Sequence, residues 1–280
     1  MICYYGGKYY KDSSEIKIPI TDLALTRGWA IFDFMRTYGL KPVLLKLHLV
    51  RFRNSLKEAG IRLTFDEKSI ERIISKLMQL NKIRRDVAFR IIVTAGDSKD
   101  SFNPSKKPRL IILTEQIHSI TSKFRAKGYF AQIVGVQRLL PSAKTVNYLP
   151  GLKLLADAKK QGFDDVIYIS GNNVLEGVTN NIFIVKNNKL ITPKEKVLGG
   201  ITRQLILKVA INNNIPTYER NISVQQLLDS DEVFSTSTIR QILPITKING
   251  KIIGDGKSGK LTNRLDILFK DHISSLLKDY

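Results

Sequence analysis

Cysteine and histidine are scarce in this sequence of 280 residues. With Cys3 as its one cysteine, the chain can form no internal disulfide bond and no cluster of thiolate metal ligands. A protein without disulfides is typical of a reducing compartment, so we expect a cytoplasmic location. The histidines, His48, His118 and His272, are isolated, and no nearby carboxylate has the spacing of a zinc-binding helix. We therefore predict neither a metal site nor histidine-based nucleophilic catalysis.

Long apolar runs are also missing. The longest ones, such as residues 30–35 and 110–113, are far shorter than the roughly 20 residues that cross a bilayer. The N-terminus has no basic segment followed by an apolar stretch, which is the pattern of a signal peptide. We expect a protein that neither spans nor binds a membrane.

Acidic residues are few compared with basic ones. The chain has 45 Lys and Arg against 25 Asp and Glu, which gives a net charge of +20. A charge of this size is a reason to consider nucleic acid as a binding partner. The basic residues are spread along the chain, and the densest patches, 82–85 and 106–109, lack the interleaved aromatics of a base-stacking surface. We favour a solvated basic surface suited to anionic small molecules. A basic nucleic-acid-binding protein stays open as the alternative of a different class.

The order of predicted elements indicates two α/β domains. Residues 1–116 predict an N-terminal α/β domain, with hairpins over residues 2–10 and 30–45 and a helix with a capping box that begins at Thr64. Apolar periodicity weakens over 117–127, which predicts an interdomain linker. Residues 128–280 alternate strands and helices and predict a larger C-terminal domain that contains Lys144.

Polar residues stand at the ends of predicted elements in the second half of the chain. Gly199-Gly200 directly precedes a helix, where free backbone N–H groups and the Thr202 hydroxyl can bind a phosphate. Another hydroxyl pair, Ser237 and Thr238, follows a strand. Lys144 comes after a strand and a turn, and a lysine aimed into a desolvated cleft can form a Schiff base.

These residues belong to a series of segments that covers nearly the whole chain. In order, the segments are 32–38, 47–52, 144–149, 175–183, 198–203 and 232–238. Together they resemble the class IV aminotransferases, the pyridoxal-phosphate family that holds branched-chain and D-amino acid aminotransferases and aminodeoxychorismate lyase. The resemblance implies a fold type IV enzyme, with a small N-terminal α/β domain, a larger domain built on a barrel-like sheet, and a homodimeric assembly.

The resemblance also implies roles for single residues. Lys144 binds pyridoxal 5'-phosphate covalently and moves the proton at the substrate α-carbon, while the cofactor passes through pyridoxamine 5'-phosphate. Glu176 keeps the pyridine nitrogen protonated, and Tyr148 contacts the phenolate oxygen. The phosphate ligands implied are Arg51, Ile201, Thr202, Ser237 and Thr238. If Arg51 faces inward, Arg53, about 200° further round the same helix, should face solvent.

A transaminase must also bind a substrate carboxylate, and a guanidinium does so bidentately. We predict Arg27 and Arg90 for this role, because Arg27 precedes a strand that lines the pocket in the family and Arg90 lies in an apolar strand. The position of Tyr148 after the lysine and the Ser237-Thr238 pair favour D-amino acids such as D-alanine or D-glutamate, with a 2-oxo acid as acceptor. L-branched-chain transamination and the aminodeoxychorismate lyase reaction stay open as alternatives.

Overall fold

The computed structural model of the protein describes residues 1–62, 65–104, 107–118 and 120–280. Contacts divide these residues into two units. The first contains residues 1–117, 143–147 and 277–280, and the second contains residues 118–142 and 148–276. Our predicted domain limits at 116 and 128 stay a prediction, but the contacts group the short segment around Lys144 with the first unit instead of the second. Among the described residues, no helix combines the length and the apolar character that a membrane span requires.

The first unit is built on a five-stranded antiparallel sheet in the order β2-β1-β5-β4-β3. Side chains alternate along β3, so Ile31, Asp33 and Met35 share the fully buried face, against which α2 packs. The strands are β1 (Cys3–Tyr5), β2 (Lys8–Tyr10), β3 (Ala30–Arg36), β4 (Val87–Thr94) and β5 (Arg109–Gln116). The helices are α1 (Leu23–Arg27), α2 (Leu45–Glu58) and α3 (Glu67–Leu80), with a short 3-10 turn at Ser13–Glu15.

Residues 143–147 lie along the open edge of β3. The backbone N–H of Phe32 donates to the carbonyl of Lys144 at 2.9 Å, and that of Val146 donates to Ala30 at 3.1 Å. An isolated antiparallel bridge pairs Ile31 with Thr145. The segment therefore acts as a further edge strand, and the sheet itself fixes the position of the Lys144 backbone.

The second unit is built on a closed sheet of strands in the order β9-β12-β13-β6-β7-β8, which returns to β9 through the pair Glu176–Asn181. Its strands are β6 (Tyr129–Gly135), β7 (Asp165–Ser170), β8 (Asn173–Gly177), β9 (Asn181–Lys186), β10 (Lys189–Thr192), β11 (Thr217–Glu219), β12 (Glu232–Ser237), β13 (Gln241–Ile248) and β14 (Lys251–Ile252). Its helices are α4 (Ser122–Lys127), α5 (Leu149–Lys160), α6 (Ile201–Asn212), α7 (Val224–Leu228) and α8 (Lys260–Lys278), of which the last residues group with the first unit.

Apolar side chains fill this barrel and attach the helices to it. One buried cluster contains Ile182 and Ile184 of β9 with Val233 of β12, and side chains from β6, β7 and β13. On the other face of β9 and β12, Phe183 stacks on Phe234 with ring centroids 4.9 Å apart, and α6 packs against β12. The beginning of α6 is thereby held beside the ends of these strands.

Most predicted elements agree with the structure, with one exception in the first unit. The predicted return strand at 43–45 is wrong, because α2 already begins at Leu45, and Tyr38 pairs with Lys41 through an isolated bridge. Within α2, Leu47 and Val50 are exposed although they are apolar, whereas Leu49 and Phe52 are buried. The predicted cap Thr64 lies outside the described residues; Asp66 caps α3 by accepting from the backbone of Ser69. Residues 122–127 of the predicted linker form α4.

Candidate active site

In the first unit, Lys144 is held by both β3 and α2. Its half-buried side chain places Nζ 4.6 Å from the centroid of the Phe32 ring, a cation–π distance. Its backbone N–H donates to Oγ of Ser55 at 3.2 Å, and this hydroxyl donates to the carbonyl of Arg51 at 3.0 Å. Because Ser55 is fully buried, the contact connects the lysine backbone to the inward face of α2.

Arg51 lies one turn before Ser55, on the same inward face. Its Nε and Nη2 atoms donate to the two carboxylate oxygens of Asp33, both at 2.8 Å. His48 also contacts Asp33, with Nδ1 2.7 Å from Oδ1. Arg53 is exposed over 61% of its side chain and pairs with Glu67, so the predicted orientation of these two arginines is observed.

Burial and charge act in opposite directions on this group. Burial disfavours the Asp33 carboxylate, but the charge of Arg51 and the contact with His48 outweigh it and hold the pKa of Asp33 below its usual range. Burial, with only partial compensation by Asp33, holds the pKa of His48 below its ordinary value. At neutral pH the group therefore consists of an ion pair and an uncharged imidazole.

In the second unit, Glu176 is a buried carboxylate at the end of β8 with partners on both oxygens. Arg138 donates to Oε1 through Nε at 2.8 Å and Nη2 at 2.6 Å, and the backbone N–H of Leu198 donates to Oε2 at 2.8 Å. Arg138 is in turn bonded to the carbonyl of Pro141. The carboxylate is thus paired with a guanidinium and fixed in orientation. Sequence analysis missed Arg138, which lies in an irregular loop where nothing in the pattern marks it.

The N-terminus of α6 lies next to Glu176 through the segment 198–200. Gly200 is the N-cap residue, and no side chain among the described residues caps the helix. The first N–H groups of a helix have no intrahelical partner, so those of α6 can donate to an external acceptor. A Cβ on Gly200 would lie 2.0 Å from Oδ1 of Asn181, so only glycine lets the backbone approach β9 this closely. Directly opposite Asn181, Thr236 of β12 shares its face. Its hydroxyl is buried and has no partner among the described residues.

The predicted ligands Ile201 and Thr202 are the first residues of α6, and both are buried. Ser237 ends β12, and its hydroxyl accepts from the backbone N–H of Arg240 at 3.3 Å. Thr238 follows in the same turn. Ile201 and Thr202 are thus neighbours at the beginning of α6, and α6 packs against β12, the strand that ends at Ser237.

Arg240 anchors this turn to the barrel. Its Nη1 donates to Oδ2 of Asp165 at 2.7 Å, and Asn180 donates to the same oxygen at 2.9 Å. Burial disfavours the charged guanidinium, but Asp165 and Tyr129 outweigh it and raise the pKa of Arg240 above its ordinary value. Arg240 had no assigned role in the sequence, and its contacts give it a structural one.

Tyr148 is the N-cap residue of α5 and packs on the apolar cluster that contains Tyr168. Burial of Tyr168, reinforced by the nearby carboxylates and partly offset by the charge of Arg138, raises its pKa to about 12. Tyr168 therefore stays protonated at neutral pH. The predicted contact of Tyr148 with a cofactor oxygen stays a prediction.

The two predicted substrate arginines are engaged elsewhere in the first unit. Arg90 donates through Nε and Nη2 to Glu115 at 2.6 and 3.1 Å, and lies over the rings of Phe34 and Phe32. Arg27 is exposed and donates to the carbonyls of Ser101 and Thr26. The structure does not bring these arginines together with Arg51, and their roles stay predictions.

A sequence comparison identifies the class of protein. The pattern of the family described as amino-transferase class IV matches residues 30–248, which is more than half of the chain. The chain therefore belongs to the class IV aminotransferase family, and the resemblance recognised in its segments is confirmed. No group of His, Cys, Asp and Glu within the described residues could hold a metal ion.

Individual relatives match along nearly the full chain. A Methanocaldococcus jannaschii protein, provisionally assigned as a branched-chain-amino-acid aminotransferase, is 29% identical over 278 residues, covering 97% of this chain and 96% of that protein. The D-alanine aminotransferase of Bacillus licheniformis is 28% identical over 269 residues, covering 94% of each. A hypothetical aminotransferase from Mycobacterium tuberculosis, solved in a PLP-bound form, has a TM-score of 0.86 at 20% identity over 100% of both chains. The structural neighbours confirm the predicted fold type IV α/β fold with its barrel-like sheet.

Proposed function

We propose that the protein is a pyridoxal-phosphate-dependent transaminase that exchanges an amino group between a D-amino acid, such as D-alanine or D-glutamate, and a 2-oxo acid. The observation that carries the cofactor assignment is the arrangement in the first unit, where α2 and β3 hold both the Lys144 backbone and the guanidinium of Arg51. A lysine amine and a buried guanidinium suit an aldehyde and a phosphate, the reactive groups of pyridoxal phosphate.

Side chains of the second unit match the chemistry of the remaining parts of such a cofactor. The Glu176 carboxylate suits a protonated ring nitrogen, because Arg138 pairs with it and the Leu198 amide fixes its orientation. The uncapped N-terminus of α6 and the buried Thr236 hydroxyl suit phosphate oxygens. Within this proposal, Arg51, Ile201, Thr202, Ser237 and Thr238 bind the phosphate, and Tyr148 contacts the ring oxygen.

When bound, pyridoxal phosphate supplies an electron sink for the negative charge that develops at the substrate α-carbon. Nζ of Lys144 accepts the proton that leaves this carbon, so it must be a neutral amine when substrate is present. Glu176 would accept a hydrogen bond from the protonated ring nitrogen and balance its charge.

The substrate preference has support from two directions. Similarity to the D-alanine aminotransferases of Bacillus licheniformis and Staphylococcus aureus, 28% identical over 94–97% of this chain, supports a D-substrate, as does the spacing of Lys144 and Tyr148. Similarity to the Methanocaldococcus protein, provisionally assigned as a branched-chain-amino-acid aminotransferase, supports the second candidate, L-branched-chain transamination. Arg90 could bind a substrate carboxylate only by opening its pair with Glu115.

The test is the visible absorbance of the purified protein with pyridoxal phosphate, followed by separate additions of D-alanine, D-glutamate, L-leucine and L-glutamate. We expect an absorbance band that K144A lacks and that K153A, a change at an exposed lysine, retains. Conversion of the band by D-substrates supports the proposal, and conversion by L-substrates alone replaces it with branched-chain transamination.

Two further outcomes contradict transamination. Pyruvate release from aminodeoxychorismate without a 2-oxo acid acceptor identifies the lyase reaction instead. If the protein shows no absorbance band but binds DNA with a steep dependence on salt, the nucleic-acid-binding alternative is supported instead.

We further propose a cytoplasmic homodimer, on the low cysteine content and on the family resemblance. Light scattering on the eluted protein should give twice the chain mass of 31.7 kDa. A mass of 31.7 kDa at micromolar concentration contradicts the dimer.

A further inference from the structure

The carboxylate of Asp33 is the centre of a buried polar group in an otherwise apolar face of β3. Asp33 is completely buried, between Ile31 and Met35, which are also completely buried. Burying a carboxylate in such surroundings is costly unless its charge is paired and its oxygens are hydrogen-bonded. Arg51 pairs with it through both oxygens, and the Phe34 backbone N–H donates to Oδ1 at 2.7 Å. Packing alone therefore does not explain why a charged Asp33 side chain occupies this apolar face.

The bidentate contact fixes one edge of the Arg51 guanidinium and leaves the other open. Nε and Nη2 face Asp33, whereas Nη1 makes no hydrogen bond to any residue that the structure describes. The Arg51 side chain is only 9% exposed, so this open donor belongs to a group that is almost entirely buried. Because a guanidinium is planar, two fixed N–H bonds also fix the direction in which Nη1 points.

His48 closes the group on its other side. The imidazole is 2% exposed and its Nδ1 is 2.7 Å from Oδ1 of Asp33. A neutral imidazole in this position donates from Nδ1, since the carboxylate oxygen can only accept. Arg51 is therefore the positively charged partner of Asp33 in this group. The Asp33 carboxylate orients both α2 side chains, Arg51 and His48.

We propose that Asp33 is a positioning residue that aims Nη1 of Arg51 at the phosphate of the cofactor. The proposal rests on the proposed function, in which Arg51 binds that phosphate. Asp33 also reduces the net charge that Arg51 offers, which by itself weakens phosphate binding. Orientation outweighs this loss, because without the carboxylate the guanidinium would be an unpaired buried charge with several side-chain conformations.

The test compares two ligands that differ only in the phosphate. Affinities of the apoprotein for pyridoxal phosphate and for pyridoxal are measured by calorimetric titration, for wild type, D33N, R51K and the double variant. Groups that orient a ligand-binding residue from behind contribute about 10- to 100-fold in affinity at metal sites, and we expect a loss in that range for pyridoxal phosphate in D33N. The affinity for pyridoxal should change less than about threefold.

The matched controls are E67Q and R53K, which alter the exposed Arg53–Glu67 pair that joins the same helix to α3. They should leave both affinities at the wild-type values. R51K should lose phosphate-dependent affinity like D33N, and the double variant should lose little more than R51K, since both changes act on one contact.

Each other outcome has a definite meaning. Equal losses for both ligands in D33N, or no loss, overturn the positioning role. A phosphate-specific loss in D33N that adds fully to that of R51K overturns it as well, because Asp33 would then act independently of Arg51. If R51K keeps full phosphate discrimination, the role of Arg51 in the proposed function fails, whatever D33N shows. Should D33N not fold, D33S, which leaves room for a water beside the guanidinium, provides the same comparison.

Discussion

The ion pair of Arg138 and Glu176 provides a direct test of the second unit, because it predicts a large coupling between a surface loop and a buried strand end. Glu176 is 4% exposed, whereas the Arg138 side chain is 25% exposed. Removing one member of a buried pair costs about 3–5 kcal/mol, since the other charge is left unpaired. Water can enter beside the partly exposed Arg138 position, so we expect R138M to lower the free energy of unfolding by about 2–3 kcal/mol.

The assay is urea unfolding of the apoprotein at pH 7 for wild type, R138M, E176Q and the double variant. In the E176Q background the carboxylate charge is absent, so R138M should cost less than about 1 kcal/mol, giving a coupling energy of about 1.5–2 kcal/mol. The control cycle uses K251M and D229N, a pair of the same unit in which both side chains are 48% exposed. It should give less than about 0.5 kcal/mol. A coupling for Arg138 and Glu176 as small as that of the control would refute the reasoning.

Two further predictions concern a close approach and a buried imidazole. G200A should lower the free energy of unfolding by about 1–3 kcal/mol, because its Cβ would lie 2.0 Å from Asn181, whereas G199A, whose Cβ meets only Gln204 at 3.6 Å, should cost less than about 1 kcal/mol in the same urea titration. Because burial lowers the pKa of His48, the unfolded chain binds more protons as the pH falls below about 6.5, so acidification from pH 7.5 to 5.5 should destabilise the protein. H48Q should reduce this dependence by up to about 1.4 kcal/mol per pH unit, and an unchanged dependence would contradict the burial of a neutral imidazole.

Elements set by short-range patterns could be predicted from the sequence. The apolar residues Ile70, Ile73, Ile74 and Leu77 are buried in α3 as their spacing predicts, and the Ser223 capping box begins α7. The sequence of α2 is less decisive, because Leu47 and Val50 compete with Leu49 and Phe52 for the inward face. The sheet decides between these faces, because only one of them brings His48 and Arg51 to Asp33.

The side chains of the candidate site also differ in how far their positions could be predicted from local sequence patterns. The spacing of Arg51 and Arg53 predicts that one faces inward and one outward, because that depends on helix geometry alone. The sequence did not predict that Asp33 orients Arg51 or that Arg138 pairs with Glu176. Each contact joins residues far apart in the chain, 18 residues for Asp33 and Arg51 and 38 residues for Arg138 and Glu176. Local patterns contain no information about such pairs.

For Arg90, the sequence predicts that the guanidinium needs a carboxylate partner but does not predict which carboxylate it binds. An arginine in the apolar strand β4 needs a partner or a function, and the sequence offers both a substrate carboxylate and a protein carboxylate. The register of β4 and β5 decides which is present: Leu113 lies opposite Arg90, and Glu115 lies opposite Ala88, so Glu115 is the diagonal neighbour on the same face. A substrate carboxylate at Arg90 would therefore compete with Glu115 for the same N–H bonds. If Arg90 does bind substrate, E115Q should strengthen substrate binding, because it removes the competing charge.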